Sequence, residues 1–152
     1  MRYALAVLAY LGLLAGVPAI AGSEFGGREE AVAMVKRVQD KFARDGAEAT
    51  FAAVSDTSVK EFHDRDLYPF IYDLKGVCVA HGVRSVLIGK NLLSLKDQDG
   101  KYLIQEMIAI ATEKGSGWIN YKWPHPVTNK IEDKVSYIEK MGDYFVGVGV
   151  RP

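Results

Sequence analysis

The stretch DLYPFIYDLKGVCVAH, residues 66–81, consists of two strand-like runs separated by a Leu-Lys pair and a glycine. That glycine, Gly76, indicates a type I turn with a glycine bulge, which joins the two runs into a β-hairpin. In the register that this turn sets, His81 faces Pro69 and lies on the same side of the hairpin as Ile71. Both faces are mostly apolar, so we expect other parts of the chain to cover both. The aromatic side chains of the opposite face are expected to pack against a helix; they are Tyr68, Phe70 and Tyr72.

Helical spacing dominates the chain before the hairpin and again after it. Apolar residues recur at three- and four-residue steps over residues 28–45 and 99–114, which predicts an amphipathic helix in each place. Three further runs with strand character follow at residues 117–123, 135–141 and 144–150. Five antiparallel strands with helices before and between them give an α+β fold.

Composition excludes several classes of protein. The chain has 152 residues, with 19 Lys and Arg against 19 Asp and Glu, and one Cys. This length suits one domain, and zero net charge removes the electrostatic argument for binding nucleic acid. The histidines are far apart in sequence, so no metal-ligand spacing is present, and no catalytic or phosphate-binding motif occurs. The sequence therefore predicts a protein that is not an enzyme and that has no metal site and no cofactor.

The N-terminus has the pattern of a secretory signal peptide over residues 1–21. A positive start precedes an apolar run over residues 3–16, and a small-x-small cleavage site ends at Ala21. The alternative is a retained membrane anchor, but the apolar run is short for a spanning helix and ends in Pro and Gly. Cleavage leaves a flexible leader, residues 22–27, and one domain, residues 28–152. We therefore expect a periplasmic protein with no stable membrane insertion after cleavage.

A series of ordered motifs gives the chain a resemblance to a known family. The most recognisable motif is GWINYKWPHP, residues 117–126. The motifs lie, in chain order, at residues 65–76, 79–82, 88–93, 95–100, 117–126, 134–138 and 146–150. Over residues 27–150 the sequence resembles the single Cache domain, type 2. Because several motifs occur in the same order, the resemblance is specific, whereas any one of them alone would be weak.

The resemblance implies a fold and a function. It implies a PAS-like five-stranded antiparallel sheet with a long N-terminal helix on one side and a ligand pocket on the other, under a layer of helix and loops. Family members are extracytoplasmic sensors of chemoreceptors and sensor kinases that bind small organic acids. The chain stops at Pro152, directly after the last strand, so we expect a stand-alone, secreted form that binds a C2–C5 carboxylate and acts through a separate membrane receptor or sensor kinase. The alternative is an interaction or structural module with no physiological small ligand.

Five residues are candidates for the ligand site. Tyr121 and Trp123 share a strand face and offer ring surface with an O–H and an N–H donor, although they are equally typical of a core. Lys134 is a natural counter-ion for an acid, and Tyr137 adds a directed donor. In a regular strand those two face opposite sides, so they converge only if the strand begins with a bulge or after Lys134. On pattern alone His81 is a strand-end polar residue and Lys134 can be a solvated loop charge; the resemblance favours a ligand role for both.

Overall fold

The computed structural model describes residues 23–125 and 127–152. The predicted signal peptide, residues 1–21, lies outside these residues, so its cleavage stays a prediction. The described elements are α1 (Arg28–Ser55), β1 (Pro69–Asp73), β2 (Cys78–His81), α2 (Leu103–Ala109), β3 (Ser116–Pro124), β4 (Ile131–Met141) and β5 (Tyr144–Val150). None of the helices within the described ranges combines the length and apolar character needed to cross a membrane.

The strands form one antiparallel sheet of five strands in the order β2-β1-β5-β4-β3. Helix α1 covers one face, where its buried residues such as Met34, Val35 and Val38 pack against the β5 valines. Helix α2 covers part of the other face and packs against aromatic side chains of β1 and β3. The predicted α+β fold, with its long N-terminal helix, is confirmed.

The predicted register of the β1–β2 hairpin is wrong beyond its first pairs. The turn itself forms as expected, since the Asp73 N–H donates to the Val77 carbonyl at 2.9 Å. A bulge then shifts the register between Ile71 and Tyr72, so that His81 pairs with Phe70 and not with Pro69. An extra residue in one strand moves every side chain beyond it to the opposite face. His81 therefore lies on the same face as the aromatic residues of β1.

Strand β4 begins at Ile131, before the predicted start at residue 135. It pairs with β3 without interruption from Ile131, opposite Pro124, to Glu139, opposite Ser116. Lys134 is therefore a strand residue directly across from Tyr121, and not a residue of the preceding loop.

The segment before α1, residues 23–27 of the predicted leader, makes several contacts with the folded domain. The Gly26 N–H donates to Asp66 Oδ1 at 2.7 Å, and the Arg65 guanidinium donates to the Phe25 carbonyl at 3.1 Å. The Leu67 side chain fills the space next to Gly26 where a larger residue would place its Cβ. These contacts tie the start of α1 to the loop that precedes β1.

Helix α1 is broken once, at Gly46, close to its predicted end. Gly46 has φ +83° and ψ 177°, a conformation that is almost restricted to glycine. The chain then continues in helical form to Ser55, and Phe51 packs against Tyr144 with ring centroids 5.0 Å apart. The break thus lets the last turns of α1 contact the start of β5.

We expect Gly46→Ala to lower the free energy of unfolding by about 1–3 kcal/mol, because an alanine is strained at this backbone conformation. Apart from the adjoining residues and nearby helix backbone, no atom lies within 4 Å of the new Cβ, so the cost comes from the backbone conformation. Urea unfolding measures it, with Glu48→Ala in the next turn as the control. Equal midpoints for the two variants would show that Gly46 carries no such strain.

Candidate ligand-binding site

A cavity lies between α2 and the face of the sheet opposite to α1. Its sheet side is aromatic and polar and its helix side is aliphatic. The residues that line it are Tyr68, Phe70, Tyr72, His81, Leu103, Ile104, Met107, Tyr121 and Trp123. Its volume is about 10 Å³, which is room for about one water molecule. A small organic molecule therefore fits only if lining side chains move.

His81 is a neutral hydrogen-bond donor in this cavity. Its side chain is 3% exposed, and its Nδ1 accepts the backbone N–H groups of Val83 at 3.2 Å and Arg84 at 2.9 Å. Nδ1 is therefore the acceptor, and Nε2 carries the proton. Burial lowers the pKa of His81 to about 3, and the charges of Lys134 and Arg84 act in the same direction. Among the described residues Nε2 has no hydrogen-bond partner, so its N–H is available to a ligand.

Lys134 brings a positive charge to the edge of the cavity. It is half-buried, and its Nζ donates to the Tyr68 hydroxyl at 2.8 Å and lies 4.3 Å from the centroid of the Tyr68 ring. The Tyr68 ring in turn lies 5.4 Å from the His81 ring. The ammonium, the phenol and the imidazole N–H thus come from β4, the residue before β1 and the end of β2, and they form one polar corner in an otherwise apolar cavity.

The acidic side chains near Lys134 all have other partners. They border a second small cavity, of about 30 Å³, which Lys134 and Trp123 also line. There the Asp66 and Glu132 carboxylates lie 3.8 Å and 3.7 Å from Arg151 nitrogens, and Asp133 pairs with a lysine of β3. Within the described residues, no carboxylate lies within 4.0 Å of the Lys134 ammonium. Lys134 is therefore a partly desolvated cation whose only close partner here is neutral.

The aromatic residues of β3 form one wall of the cavity. Tyr121 is buried, and its hydroxyl shares a hydrogen bond of 2.8 Å with the Ser136 hydroxyl. Burial raises the pKa of Tyr121 well above its usual range, so the phenol stays neutral. The Trp123 ring meets the Tyr121 ring edge to face with centroids 6.1 Å apart, and the Arg84 guanidinium lies 5.9 Å from the Trp123 ring. Tyr121 thus supplies mainly ring surface, since its hydroxyl is already bonded.

Tyr137 is the one candidate that the structure places elsewhere. It lies on the α1 face of the sheet, where its ring packs against Trp118 at 5.3 Å and its hydroxyl donates to Glu139 at 2.9 Å. Because β4 is regular from Ile131 onward, Lys134 and Tyr137 face opposite sides. The condition for their convergence, a bulge or a strand that begins after Lys134, is therefore not met. His81, Tyr121 and Trp123 line one cavity, and Lys134 contacts it through Tyr68.

Sequence reasoning missed that the aromatic face of β1 lines this cavity. Tyr68, Phe70 and Tyr72 pack against α2, as expected, but the cavity lies at the same contact. The bulge that turns His81 onto this face carries no clear sequence signal. Tyr68 could have been identified from the sequence. It lies two positions before Phe70 and therefore on the same face of the strand.

The rest of this face offers no reactive group. Burial raises the pKa of the Cys78 thiol to about 11, and burial also raises the pKa of Tyr72 well above its usual range. Over residues 23–125 and 127–152, no three His, Cys, Asp or Glu side chains are grouped so that they could hold a metal ion. The geometry is that of a small binding cavity with one cation and one neutral imidazole.

Comparison with known proteins identifies the family. Residues 28–151 match the family model described as a Cache domain. The chain belongs to the Cache domain family. Cache domains are extracytoplasmic sensor domains of chemoreceptors and sensor kinases, a sensory and not a catalytic family.

This Cache domain is similar to parts of much longer signalling proteins. It is 34% identical over 122 residues to the sensor histidine kinase MctS of Rhizobium johnstonii, a match that covers 79% of this chain and 26% of the kinase. It is 33% identical over 90 residues to the methyl-accepting chemotaxis protein McpP of Pseudomonas putida, which covers 58% of this chain and 16% of the chemoreceptor. The chain thus spans about a quarter or less of these curated relatives.

A solved structure of the same family gives a closer match in length. It is described as the structural basis for carboxylic acid recognition by a Cache chemosensory domain. This chain matches it with a TM-score of 0.62 and 27% identity, over 81% of this chain and 86% of the other.

We expect the Cache domain to lose stability as the pH falls, in part because His81 must take up a proton. Its folded pKa is below the value of about 6.5 in unfolded chains, so between about pH 6.5 and pH 3 the unfolded state binds more protons. The contribution of the neutral His81 to the free energy of unfolding is complete above pH 6.5 and decreases by about 2 kcal/mol between pH 7 and pH 5. Urea unfolding of the wild type and His81→Asn, whose amide oxygen can still accept the two backbone N–H groups, measures the difference. All other titrating groups are common to both proteins, so identical pH dependence would contradict a buried neutral His81.

Proposed function

We propose that this protein is a periplasmic sensor domain that binds a small organic acid of the C2–C5 class and signals through a separate membrane partner. One observation carries the proposal: the Lys134 ammonium donates to the hydroxyl of Tyr68, which lines a mostly apolar cavity, and within the described residues no carboxylate lies within 4.0 Å of this ammonium. A partly desolvated cation beside neutral donors favours an anionic ligand.

The polar corner suits one carboxylate group. Its donors are the Lys134 ammonium, the hydroxyl of Tyr68 and the N–H of His81, and they come from three different segments of the sheet face. The remaining lining is apolar, with Leu103 and Met107 on the helix side. We therefore expect monocarboxylates to bind better than dicarboxylates, because a second carboxylate would be buried without a partner.

The size of the cavity limits the ligand to a short chain. A space of about 10 Å³ must widen before any organic acid enters. Met107 is an adaptable lining residue, since its unbranched side chain repacks easily. Short acids require the smallest displacement of the lining side chains. An acid of about six heavy atoms gains at most about 1.5 kcal/mol of binding free energy per atom, which limits its affinity to about the micromolar range.

The family and the N-terminal pattern support the proposed location and partner. Cache domains are extracytoplasmic, and the pattern of residues 1–21 directs the chain across the inner membrane with cleavage after Ala21. The relatives are sensor parts of a kinase and a chemoreceptor, so the partner is a membrane protein of one of these classes. N-terminal sequencing of protein from the periplasmic fraction tests the cleavage.

The small volume of the cavity also favours a second candidate function. A domain whose cavity holds about one water molecule can serve as an interaction module, which recognises a membrane sensor through its surface without a ligand. The two candidates differ in their response to acids, which the next two experiments measure.

We expect at least one unbranched C2–C5 monocarboxylate to raise the melting temperature. A site at 100-fold over its dissociation constant gains about 2.7 kcal/mol, which for a domain of this size is about 8–12 °C. Thermal unfolding with a panel of acids at millimolar concentration measures the shift, and equal concentrations of sodium chloride and of the corresponding primary alcohols are the controls. No shift with any acid favours the interaction module.

We expect Lys134→Ala to weaken binding of the best acid at least about 30-fold, because the carboxylate would lose its counter-ion in a partly desolvated site. Lys140→Ala is the matched control, since Lys140 lies on the same face of β4 but is exposed near its end. Isothermal titration calorimetry gives both affinities, and urea unfolding checks that both variants keep the stability of the wild type within about 1 kcal/mol. Similar affinities for the two variants would remove Lys134 from the site and leave His81 and Trp123 as neutral donors.

A further inference from the structure

The central strand β5 alternates valine and glycine over residues 146–150. Its valines are buried on the α1 face of the sheet. Its glycines, Gly147 and Gly149, therefore point toward the face with the ligand-binding cavity. Neither has a positive φ, so the backbone conformation requires glycine at neither position. The reason for glycine must be the space above the strand.

The two glycines make room for different neighbours. A Cβ on Gly147 would overlap the Phe70 ring and lie 2.7 Å from the end of the Ile138 side chain, so Gly147 makes room for the core. A Cβ on Gly149 would overlap Cε of Lys134, which is its nearest neighbour, and lie 2.7 Å from the Ser136 Oγ and 3.1 Å from the Lys134 Cδ. Gly149 thus makes room for the side chain that carries the charge of the proposed site.

The strand register explains why Lys134 needs this room. Gly149 pairs with Ser136 on β4, and the β1–β5 register continued by one residue brings Tyr68 opposite Gly149 on the other side. Lys134 starts on β4 and its ammonium reaches the Tyr68 hydroxyl beyond β5. Its aliphatic stem must therefore cross β5, and it does so directly over Gly149.

We infer that Gly149 is a positioning residue: the absence of its side chain allows Lys134 to lie across β5 and place its ammonium at Tyr68 in the cavity. This inference rests on the proposed function for its effect on ligand affinity, but the position of Lys134 can be measured without a ligand. A methyl group at residue 149 occupies the place of the Lys134 stem, so the stem must leave the strand and the ammonium can no longer reach the Tyr68 hydroxyl.

The first experiment reports the position of Lys134 in the protein without ligand. Protons near the face of an aromatic ring resonate at high field, so the Lys134 ε-methylene signal should be shifted upfield by Tyr68 in the wild type. Tyr68→Leu identifies this shift as the effect of that ring. We expect Gly149→Ala to move the signal toward that of an exposed lysine, as Tyr68→Leu does. An unchanged signal in Gly149→Ala overturns the inference.

The second experiment is a double-mutant cycle on acid binding, with the best acid of the panel as the probe. We expect Gly149→Ala to weaken binding about 10-fold or more when Lys134 is present, the usual effect of losing a hydrogen bond to a charged group. In the Lys134→Ala background the same substitution should change affinity less than about 2-fold. An equal loss in both backgrounds overturns the inference, because Gly149 would then act independently of Lys134.

Two further outcomes are decided by the same variants. If no acid binds the wild type, the proposed function fails, and the methylene signal still decides where Gly149 places Lys134. If Gly149→Ala does not fold, the Gly149→Ala/Lys134→Ala variant decides the matter. Recovery of a cooperative unfolding transition supports the inference, since removing the lysine stem relieves the closest overlap and leaves only the one with the Ser136 Oγ. Failure of that variant to fold as well overturns it, because Gly149 would then be required by Ser136 and not by Lys134.

Discussion

The structure depends on one constraint, which is that the last strand of the chain is the middle strand of the sheet. β5 pairs with β1 on one side and with β4 on the other. The N-terminal hairpin and the C-terminal strands therefore join into one sheet only when β5 enters between them. Valine and glycine alternate along this strand. The valines supply buried apolar surface to α1, and on the other face the glycines carry no side chain, so neighbouring side chains fill that space.

The two faces of the sheet differ in character. The α1 side holds a continuous apolar core that includes the β5 valines, and burial of such side chains contributes about 1.5–3 kcal/mol each. The α2 side holds a second apolar cluster, with His81 and Lys134 as polar groups at its margin. His81 is tolerated there because it stays neutral and both backbone N–H groups at its Nδ1 are satisfied. Lys134 is tolerated because its stem is buried and its ammonium reaches a hydroxyl at the cavity edge.

The comparison with kinases and chemoreceptors places this fold within longer signalling proteins. The segments that match this chain make up 26% of the similar kinase and 16% of the similar chemoreceptor. In this chain the start of α1 and the residue after β5 are close together, since Asp66 accepts from the Gly26 N–H and also lies 3.8 Å from Arg151. A movement of Lys134 over Gly149 would occur next to this junction, because Asp66 and Arg151 line the same small cavity as Lys134.

The sequence by itself determined the elements, the α+β class and the family, because hydrophobic spacing and ordered motifs are local properties of the chain. It also placed Tyr121 and Trp123 on one face, since alternation in a strand needs no tertiary information. Only the tertiary structure decided which face His81 joins, because a single bulged residue reverses the direction of its side chain. The same holds for Lys134 and Tyr137: pairing with β3 extends β4 to Ile131, so the two residues lie on opposite faces. The contact of Lys134 with Tyr68 joins residues 66 positions apart across a strand that has no side chain there, and no local pattern contains that information.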